Sequence, residues 1–267
     1  MDEHALTVPA GVREAFGLDG EAVAVPGGEG VSVRVGDVVV KRVHDVDEAE
    51  WTGDLLSRLA QDGFRVARPV PTVAGRWTHA SWSAAEFIPA LRPVAPAWHV
   101  VTAVGLRFSD AAEVARDGQP WPLSGRTHRW SIADRAAWDE LRVDLNPEAS
   151  EVLRRLGSRL GDPPTERQVV HGDLTGNVHV DASDVPVVLD FSPYFRPRRW
   201  AAAIVVADAV LWHGAEPSLA ASFAATESGH DLLRRALIFR MVAEQLAAEP
   251  RHDADLEPFR RVLSMLS

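Results

Sequence analysis

The sequence predicts an α+β fold, in which a small N-terminal antiparallel sheet with one packed helix precedes a larger, mainly helical C-terminal part. Short β-branched runs fill residues 21–43, and glycine-containing turns separate them. One of these turns, Gly36-Asp37, is typical of a tight hairpin. Beyond residue 97 most segments repeat apolar residues at helical spacing, and a single β island interrupts them at residues 168–189.

Each element follows from a local pattern. A short helix is expected at residues 10–17 after Pro9, and Asp47 is expected to cap an amphipathic helix that ends near Ala60. Strands are predicted at 21–25, 31–35, 38–43, 71–74, 81–87, 168–170, 178–180 and 185–189. Helices are predicted at 97–117, 131–140, 147–160, 200–213, 218–226, 230–248 and 254–266.

A proline-rich segment at residues 89–96 interrupts these patterns and suits a hinge or linker. The sequence is therefore expected to divide into an N-terminal part at residues 1–88 and a helical C-terminal part at residues 97–267.

Composition excludes several classes of protein. Hydrophobic residues make up 46% and charged residues 25%, which argues against a largely disordered chain. There are no cysteines, so disulfides and thiolate metal sites are excluded. The formal net charge of -10 makes the chain a poor candidate for nucleic-acid binding, which needs positive charge against phosphates.

Neither a targeting segment nor a membrane span is predicted. The N-terminus lacks the basic start and apolar core of a secretory signal. The longest apolar run, Trp200–Trp212, is interrupted by Asp208 and is too short for a bilayer core of ~30 Å. A cytoplasmic protein without a membrane partner is expected, and the sequence leaves its oligomeric state open.

Lys41 is the only lysine among the 28 basic residues. Codon bias in a GC-rich genome explains why arginine is used elsewhere. A lysine that persists against such bias indicates a position where a compact ammonium is needed and a planar guanidinium does not fit.

The densest polar cluster lies in the β island. His171, Asp173 and Asn177 lie between apolar strand ends, and Asp190 follows the next apolar strand. A carboxylate at such a position is costly unless it is paired, hydrogen-bonded or bound to a metal. Two carboxylates and an amide form an all-oxygen ligand set that suits a hard cation such as Mg²⁺.

These segments resemble the motifs of a known family. His-Gly-Asp-Leu-Thr-Gly-Asn at 171–177 and Leu-Asp-Phe at 189–191 resemble the catalytic and metal motifs of the aminoglycoside phosphotransferase and choline kinase family. Val-Val-Val-Lys at 38–41 resembles the family's third strand with its nucleotide-binding lysine. The resemblance implies a two-lobed, protein-kinase-like fold with an N-terminal nucleotide-binding lobe.

The implied activity is transfer of the γ-phosphate of ATP, with Mg²⁺, to a hydroxyl of a small molecule. By resemblance, Asp173 orients the acceptor hydroxyl and takes its proton. Asn177 and Asp190 hold Mg²⁺ against the triphosphate, and Lys41 contacts its α- and β-phosphates.

Further nucleotide contacts are implied by position alone. Val39 shares a strand face with Lys41 and is expected to pack on the adenine. A helix carboxylate is expected to pair with Lys41, with Glu50 as the first choice and Glu48 as the alternative. The phosphate-covering loop is expected at Gly28, Gly30 and Ser32, and the adenine-reading hinge at Phe87 and its neighbours.

Two other functions stay open at this point. Only three residues, Leu174 to Gly176, separate Asp173 from Asn177, where the family usually has four. This spacing leaves room for a kinase-like protein that binds nucleotide without turnover. A metal-dependent phosphohydrolase is the weaker alternative, because the histidines lack ligand spacing.

The acceptor class is also open. A protein substrate is disfavoured because no long activation segment follows Asp190. Acidic residues in the C-terminal helices favour an aminoglycoside or amino sugar; they are Asp208, Glu216, Asp231 and Glu244. A basic group after the metal motif favours an anionic acceptor instead; it comprises Arg196, Arg198 and Arg199.

Overall fold

The computed structural model describes residues 7–25, 32–94, 97–247 and 255–266. These residues group into two compact units. The first unit draws on residues 7–25, 32–94, 107–119 and 176–193, and the second draws on residues 97–106, 120–175, 194–247 and 255–266. The chain therefore returns twice to the first unit, and its second return carries Asn177 and Asp190.

The first unit contains a five-stranded sheet with the order β1-β2-β3-β6-β5 and antiparallel neighbours. Its strands are β1 Ala22–Val25, β2 Ser32–Val35, β3 Val38–Arg42, β5 Thr78–His79 and β6 Trp82–Glu86. The strand expected at 71–74 is wrong. Thr72 and Gly75 form a turn there, with the Gly75 N–H donating to the Thr72 carbonyl.

A second sheet in the same unit has the order β4-β10-β9-β7. Its strands are β4 Arg65–Val66, β7 Arg92–Pro93, β9 Val178–Val180 and β10 Pro186–Val188. The two longer ones, β9 and β10, form an antiparallel pair that joins the two polar segments singled out in the sequence.

Among the described residues, two whole helices accompany these sheets, α1 Ala10–Phe16 and α2 Val46–Arg58, and the later part of a third helix, α3 Trp98–Arg116, belongs to the same unit. Apolar residues of α1 pack on one face of the five-stranded sheet; the buried cluster includes Val12, Phe16, Val33, Val35 and Val40. Helix α2 begins earlier than expected, because Asp45 and not Asp47 is the cap. The Asp45 carboxylate accepts the N–H of Glu48.

The second unit is mainly helical. Its helices are α4 Arg129–Ala137, α5 Pro147–Gly157, α6 Trp200–Trp212, α7 Pro217–Phe223, α8 Glu227–Ala247 and α9 Glu257–Met265, preceded by the start of α3 Trp98–Arg116. Strand β8 Gln168–His171 pairs with β11 Pro193–Arg196. Helix α8 packs against α4, α5, α6 and α7, so it forms the centre of this unit.

The α+β architecture expected from the sequence is confirmed, with an antiparallel N-terminal sheet and a helical C-terminal part. Strand β11 was not predicted, because its four residues include Pro193 and carry no alternation of apolar and polar side chains. None of the helices in the described part of the chain has the length and apolar character that crossing a bilayer requires.

Candidate functional site

Lys41 lies on the face of the five-stranded sheet opposite the α1 core. Side chains alternate along a strand, so the burial of Val40 in that core turns Lys41 to the other face. The strand register places Ser32 and Ser83 directly across from Lys41 on the two neighbouring strands. This polar face is where the resemblance expects a triphosphate.

Lys41 contacts Asp190 across 149 residues of sequence. Its Nζ atom lies 2.6 Å from Asp190 Oδ1, and both side chains are 47% exposed. Asp190 has a backbone φ of 43°, in the left-handed region that non-glycine residues rarely adopt. The first unit thus brings the only lysine to one of the two proposed metal ligands.

Asn177 is tied to the same segment through the β9–β10 pair. Val178 is in register with Val188, and the N–H of Leu189 donates to the Asn177 carbonyl at 2.8 Å. An amide oxygen and a carboxylate oxygen are donors that Mg²⁺ accepts while it retains waters and phosphates, so the residue types fit. No group of three or more His, Cys, Asp or Glu suited to a metal occurs among the described residues.

Glu50 does not pair with Lys41 in the described structure. Its Oε1 accepts bonds from the Thr78 hydroxyl at 2.6 Å and the Thr78 N–H at 2.9 Å, and Arg76 lies 3.3 Å away. Burial alone raises the pKa of Glu50, but the hydrogen bonds outweigh it and the pKa is lowered. The Glu50 carboxylate thus bonds to β5 and joins α2 to the edge of the sheet.

The other nucleotide contacts implied by resemblance are distributed along the same sheet. Val39 is half-buried and in register with Ala85. The Phe87 N–H donates to the Asp37 carbonyl at 2.8 Å, and the Arg34 guanidinium lies 3.9 Å from the centre of the Phe87 ring. The Phe87 N–H is therefore engaged within the protein.

Gly28 and Gly30 lie outside the described residues. Ser32, the third residue expected in the phosphate-covering loop, begins β2 and lies opposite Lys41.

Asp173 belongs to the second unit, in the turn that follows β8. Its N–H donates to His171 Nδ1 at 3.0 Å, and His171 is fully buried. Its Oδ1 accepts a bond from Arg240 Nη2 at 3.0 Å, while the Asp173 side chain remains 45% exposed. Gly172 packs so closely on the Tyr194 ring that a Cβ at this position would overlap it. The turn is thus fixed on several sides while its carboxylate reaches solvent.

Sequence reasoning missed Arg240 and gave His171 no role. Arg240 interrupts the apolar run Ala236–Ala243 of α8, just as Asp208 interrupts α6. An acid in one apolar segment and a base in another can be buried together only if they pair. This sequence signal could have predicted the contact between Asp208 and Arg240.

The charged residues considered for acceptor recognition are largely engaged inside the second unit. Asp208 binds Arg240, and Asp231 accepts the N–H of Gly161. Arg196 is buried and binds Asp134 and Glu140. Because of these contacts, Asp208 no longer supports a cationic acceptor, and Arg196 no longer supports an anionic one.

No protein-family profile matches the chain, and a search of curated proteins gives no match in sequence. Solved structures do match. A choline/ethanolamine kinase family protein from Mesorhizobium loti is 15% identical with a TM-score of 0.53, covering 94% of this chain and 90% of that one.

Two further structures are similar to the same extent. A thermostable mutant of aminoglycoside phosphotransferase APH(4)-Ia, crystallised with AMP-PNP and hygromycin B, is 14% identical with a TM-score of 0.54, covering 96% of this chain and 94% of that one. Choline kinase LicA from Streptococcus pneumoniae is 13% identical with a TM-score of 0.54, covering 92% and 94%.

The chain has the fold of aminoglycoside phosphotransferases and choline kinases. The phosphotransferase fold suggested by the motifs at 171–177 and 189–191 is therefore confirmed over most of the chain. At this low identity the likeness establishes the fold, and function has to be argued from the site.

Proposed function

We propose that the protein is an ATP- and Mg²⁺-dependent phosphotransferase that moves the γ-phosphate to a hydroxyl of a small molecule. The observation that carries the proposal is the contact between Lys41 and Asp190. A lone lysine and a carboxylate, far apart in sequence, meet on a polar sheet face in a fold whose similar structures are kinases and phosphotransferases. One of those structures holds AMP-PNP and hygromycin B.

In this proposal Lys41 binds the α- and β-phosphates. Its ammonium is half exposed and its contact with Asp190 is a surface pair of about 0–1 kcal/mol. A triphosphate offers several charged acceptors of the same kind, so little free energy opposes the exchange of Asp190 for phosphate oxygens. Asn177 and Asp190 are the proposed Mg²⁺ ligands. When bound, the cation would neutralise the charge that develops on the phosphate oxygens.

Asp173 is the proposed base. The acceptor oxygen forms a bond to the γ-phosphorus while the bond from that phosphorus to the β,γ-bridging oxygen breaks, and ADP leaves. The hydroxyl proton passes to the Asp173 carboxylate and from there to solvent. Val39 and Phe87 are proposed to line the adenine site, with Gly28, Gly30 and Ser32 covering the phosphates. Glu50 is proposed to support this site indirectly, by fixing α2 to β5.

The test is ATP consumption by the purified protein with Mg²⁺ against a panel of aminoglycosides, amino sugars, amino alcohols and nucleosides. We expect at least one acceptor to stimulate ADP release and to gain a phosphate that mass spectrometry detects. Asp173→Asn should reduce this turnover by about 100- to 10,000-fold, the usual contribution of a general base. Binding of Mg-AMP-PNP should survive that change.

The alternative, a nucleotide-binding protein without turnover, makes a different prediction. It requires that Mg-AMP-PNP binds and stabilises the wild-type protein while no acceptor is phosphorylated. A wild-type protein that neither binds Mg-AMP-PNP nor consumes ATP would contradict both functions.

A further inference from the structure

Arg240 links the proposed base to a second, fully buried carboxylate. Its Nη2 donates to Asp173 Oδ1 at 3.0 Å and to Asp208 Oδ2 at 2.7 Å. Its Nε donates to Asp208 Oδ1, also at 2.7 Å. Two parallel bonds to Asp208 fix the plane of the guanidinium, and the third bond is directed at Asp173.

Burial distinguishes the three members of this cluster. The side chains of Arg240 and Asp208 are 5% and 2% exposed, whereas that of Asp173 is 45% exposed. Burial alone lowers the pKa of Arg240, but the charges of Asp208 and Asp173 outweigh it and raise that pKa. Arg240 is therefore permanently charged and cannot itself exchange a proton with a substrate.

Three helices determine where the guanidinium lies. Helix α8 carries Arg240, α6 carries Asp208, and α4 carries Trp130, whose ring centre is 5.4 Å from the guanidinium carbon. The centre of the Phe239 ring lies 5.2 Å from the same carbon. Because α8 packs closely on both α4 and α6, the Arg240 side chain has little room to change its position.

We propose that Arg240, anchored by Asp208, is a positioning residue that holds the Asp173 carboxylate in the orientation needed to accept the hydroxyl proton. This inference rests on the proposed function, in which Asp173 is the base. His171 fixes the backbone of Asp173 and Arg240 fixes its carboxylate, so the turn and the side chain are held separately. Pre-orientation of this kind lowers the barrier because less ordering remains to be done in the transition state.

The proposal separates catalysis from binding. Asp208 and Arg240 are too buried to be reached by a bound nucleotide or acceptor. Their loss should therefore lower kcat through Asp173 and leave nucleotide affinity unchanged. A purely structural ion pair would instead affect stability and leave the kcat of the folded protein as it was.

The main test is the double variant Arg240→Met with Asp208→Leu. Replacing both members of a buried ion pair by apolar residues often leaves stability unchanged, whereas removing one member does not. Transfer is measured with the acceptor found in the panel, by coupled ADP release. We expect kcat to fall about 100-fold, the effect of misplacing a reacting group by roughly 1 Å. The KM for ATP and the Kd for Mg-AMP-PNP should stay within about threefold.

Conservative variants of two neighbouring arginines provide a matched comparison. Arg235 is also buried on α8, but it bonds to the carbonyls of Ala137 and Gly161 and to Asp139, away from Asp173. Lysine keeps the charge at either position but loses the planar fork. Arg240→Lys should therefore lower kcat about tenfold, a partial rescue relative to the double variant, while Arg235→Lys should leave kcat unchanged.

The outcomes distinguish this inference from the function on which it rests. Wild-type turnover that Asp173→Asn abolishes but the folded double variant retains in full would overturn the role of Arg240 alone. An equal loss of kcat in Arg235→Lys and Arg240→Lys would do the same, because it would point to a general effect of α8. Absence of any transfer by the wild-type protein would overturn the proposed function, and this inference with it.

Discussion

Asp190 and Asp173 both accept a bond from a cation, yet the two cations are held in opposite ways. Lys41 and Asp190 in the first unit are each half exposed, and a single contact joins their side chains. Arg240 in the second unit is buried, and Asp208 holds it through two bonds before it reaches Asp173. The first pair can open at small cost, while the second is fixed by the packing of helices.

The difference matches what each acid would do in the proposed reaction. A ligand that binds between Lys41 and Asp190 must separate them, so a weak and exposed contact is suitable. The base must instead keep one orientation through many turnovers, so an anchored contact is suitable. Four changes to the chain test this contrast, and their expected effects decrease in the order given.

Breaking the buried pair should be the most damaging change to stability. Asp208→Leu alone should lower the free energy of unfolding by about 3 kcal/mol. This is the lower end of the usual cost of removing one partner of a buried ion pair, because Arg240 keeps its contact with Asp173. Urea unfolding followed by tryptophan fluorescence measures it. Adding Arg240→Met to Asp208→Leu should recover most of the loss. A single variant as stable as the wild type would contradict the view that the second contact is the fixed one.

The turn that carries Asp173 should tolerate no side chain at Gly172. A Cβ there would overlap the Tyr194 ring, so Gly172→Ala should lower the free energy of unfolding by about 1–3 kcal/mol through overpacking. Gly157 at the end of α5 has open space where a Cβ would lie, so it serves as the control. Gly157→Ala should be neutral or stabilising. Equal effects of the two changes in thermal unfolding would show that the close approach is unimportant.

The exposed pair should matter for binding and hardly at all for stability. Lys41→Met should leave the free energy of unfolding within about 1 kcal/mol of the wild type, as expected for a surface ion pair. It should weaken binding of Mg-AMP-PNP by at least about tenfold, or ~1.4 kcal/mol, because the phosphates lose a cation. Calorimetric titration measures the second effect. Unchanged affinity would remove Lys41 from the proposed nucleotide site.

Glu50 should give the smallest effect, and it should depend on pH. Because its pKa is lowered from the ordinary 4.5 in the folded protein, its contribution is fully present above pH 4.5 and is lost as the pH falls through the folded-state value. Glu50→Gln should cost about 1 kcal/mol near neutral pH, the usual worth of such contacts, and less at low pH. Chemical unfolding of both proteins across this range measures the difference, and a difference independent of pH would exclude the charge as its cause.

Much of the fold could be predicted because the local patterns are strong. The β-branched runs of β2 and β3 and the apolar periodicity of the C-terminal helices locate most elements to within a few residues. Strand β4 has only two residues and carries no such pattern, since it forms only where β10 supplies a partner. The cap of α2 was misassigned by two residues because several acids near its start are equally good caps by composition.

The candidate site was predictable in part. Asp173, Asn177, Asp190 and Lys41 were singled out as polar residues at apolar strand ends or as a lone lysine. The partner of Lys41 was not predicted. Glu50 was expected there, but it bonds to β5, and no local pattern reveals the position of that strand. Arg240 was missed because the role of a charge within an apolar helix depends on the side chains of other elements that contact it, here Asp208 and Asp173.

Patterns along the chain were enough to establish the order of the helices and of most of the longer strands, the absence of thiol chemistry, and the clustering of acids at the ends of apolar strands. These features follow from side-chain periodicity and from the cost of leaving a carboxylate next to an apolar segment. Which cation meets which acid was settled only by tertiary packing. Such pairs join residues far apart in the chain, and their strength is set by burial, which no local pattern contains.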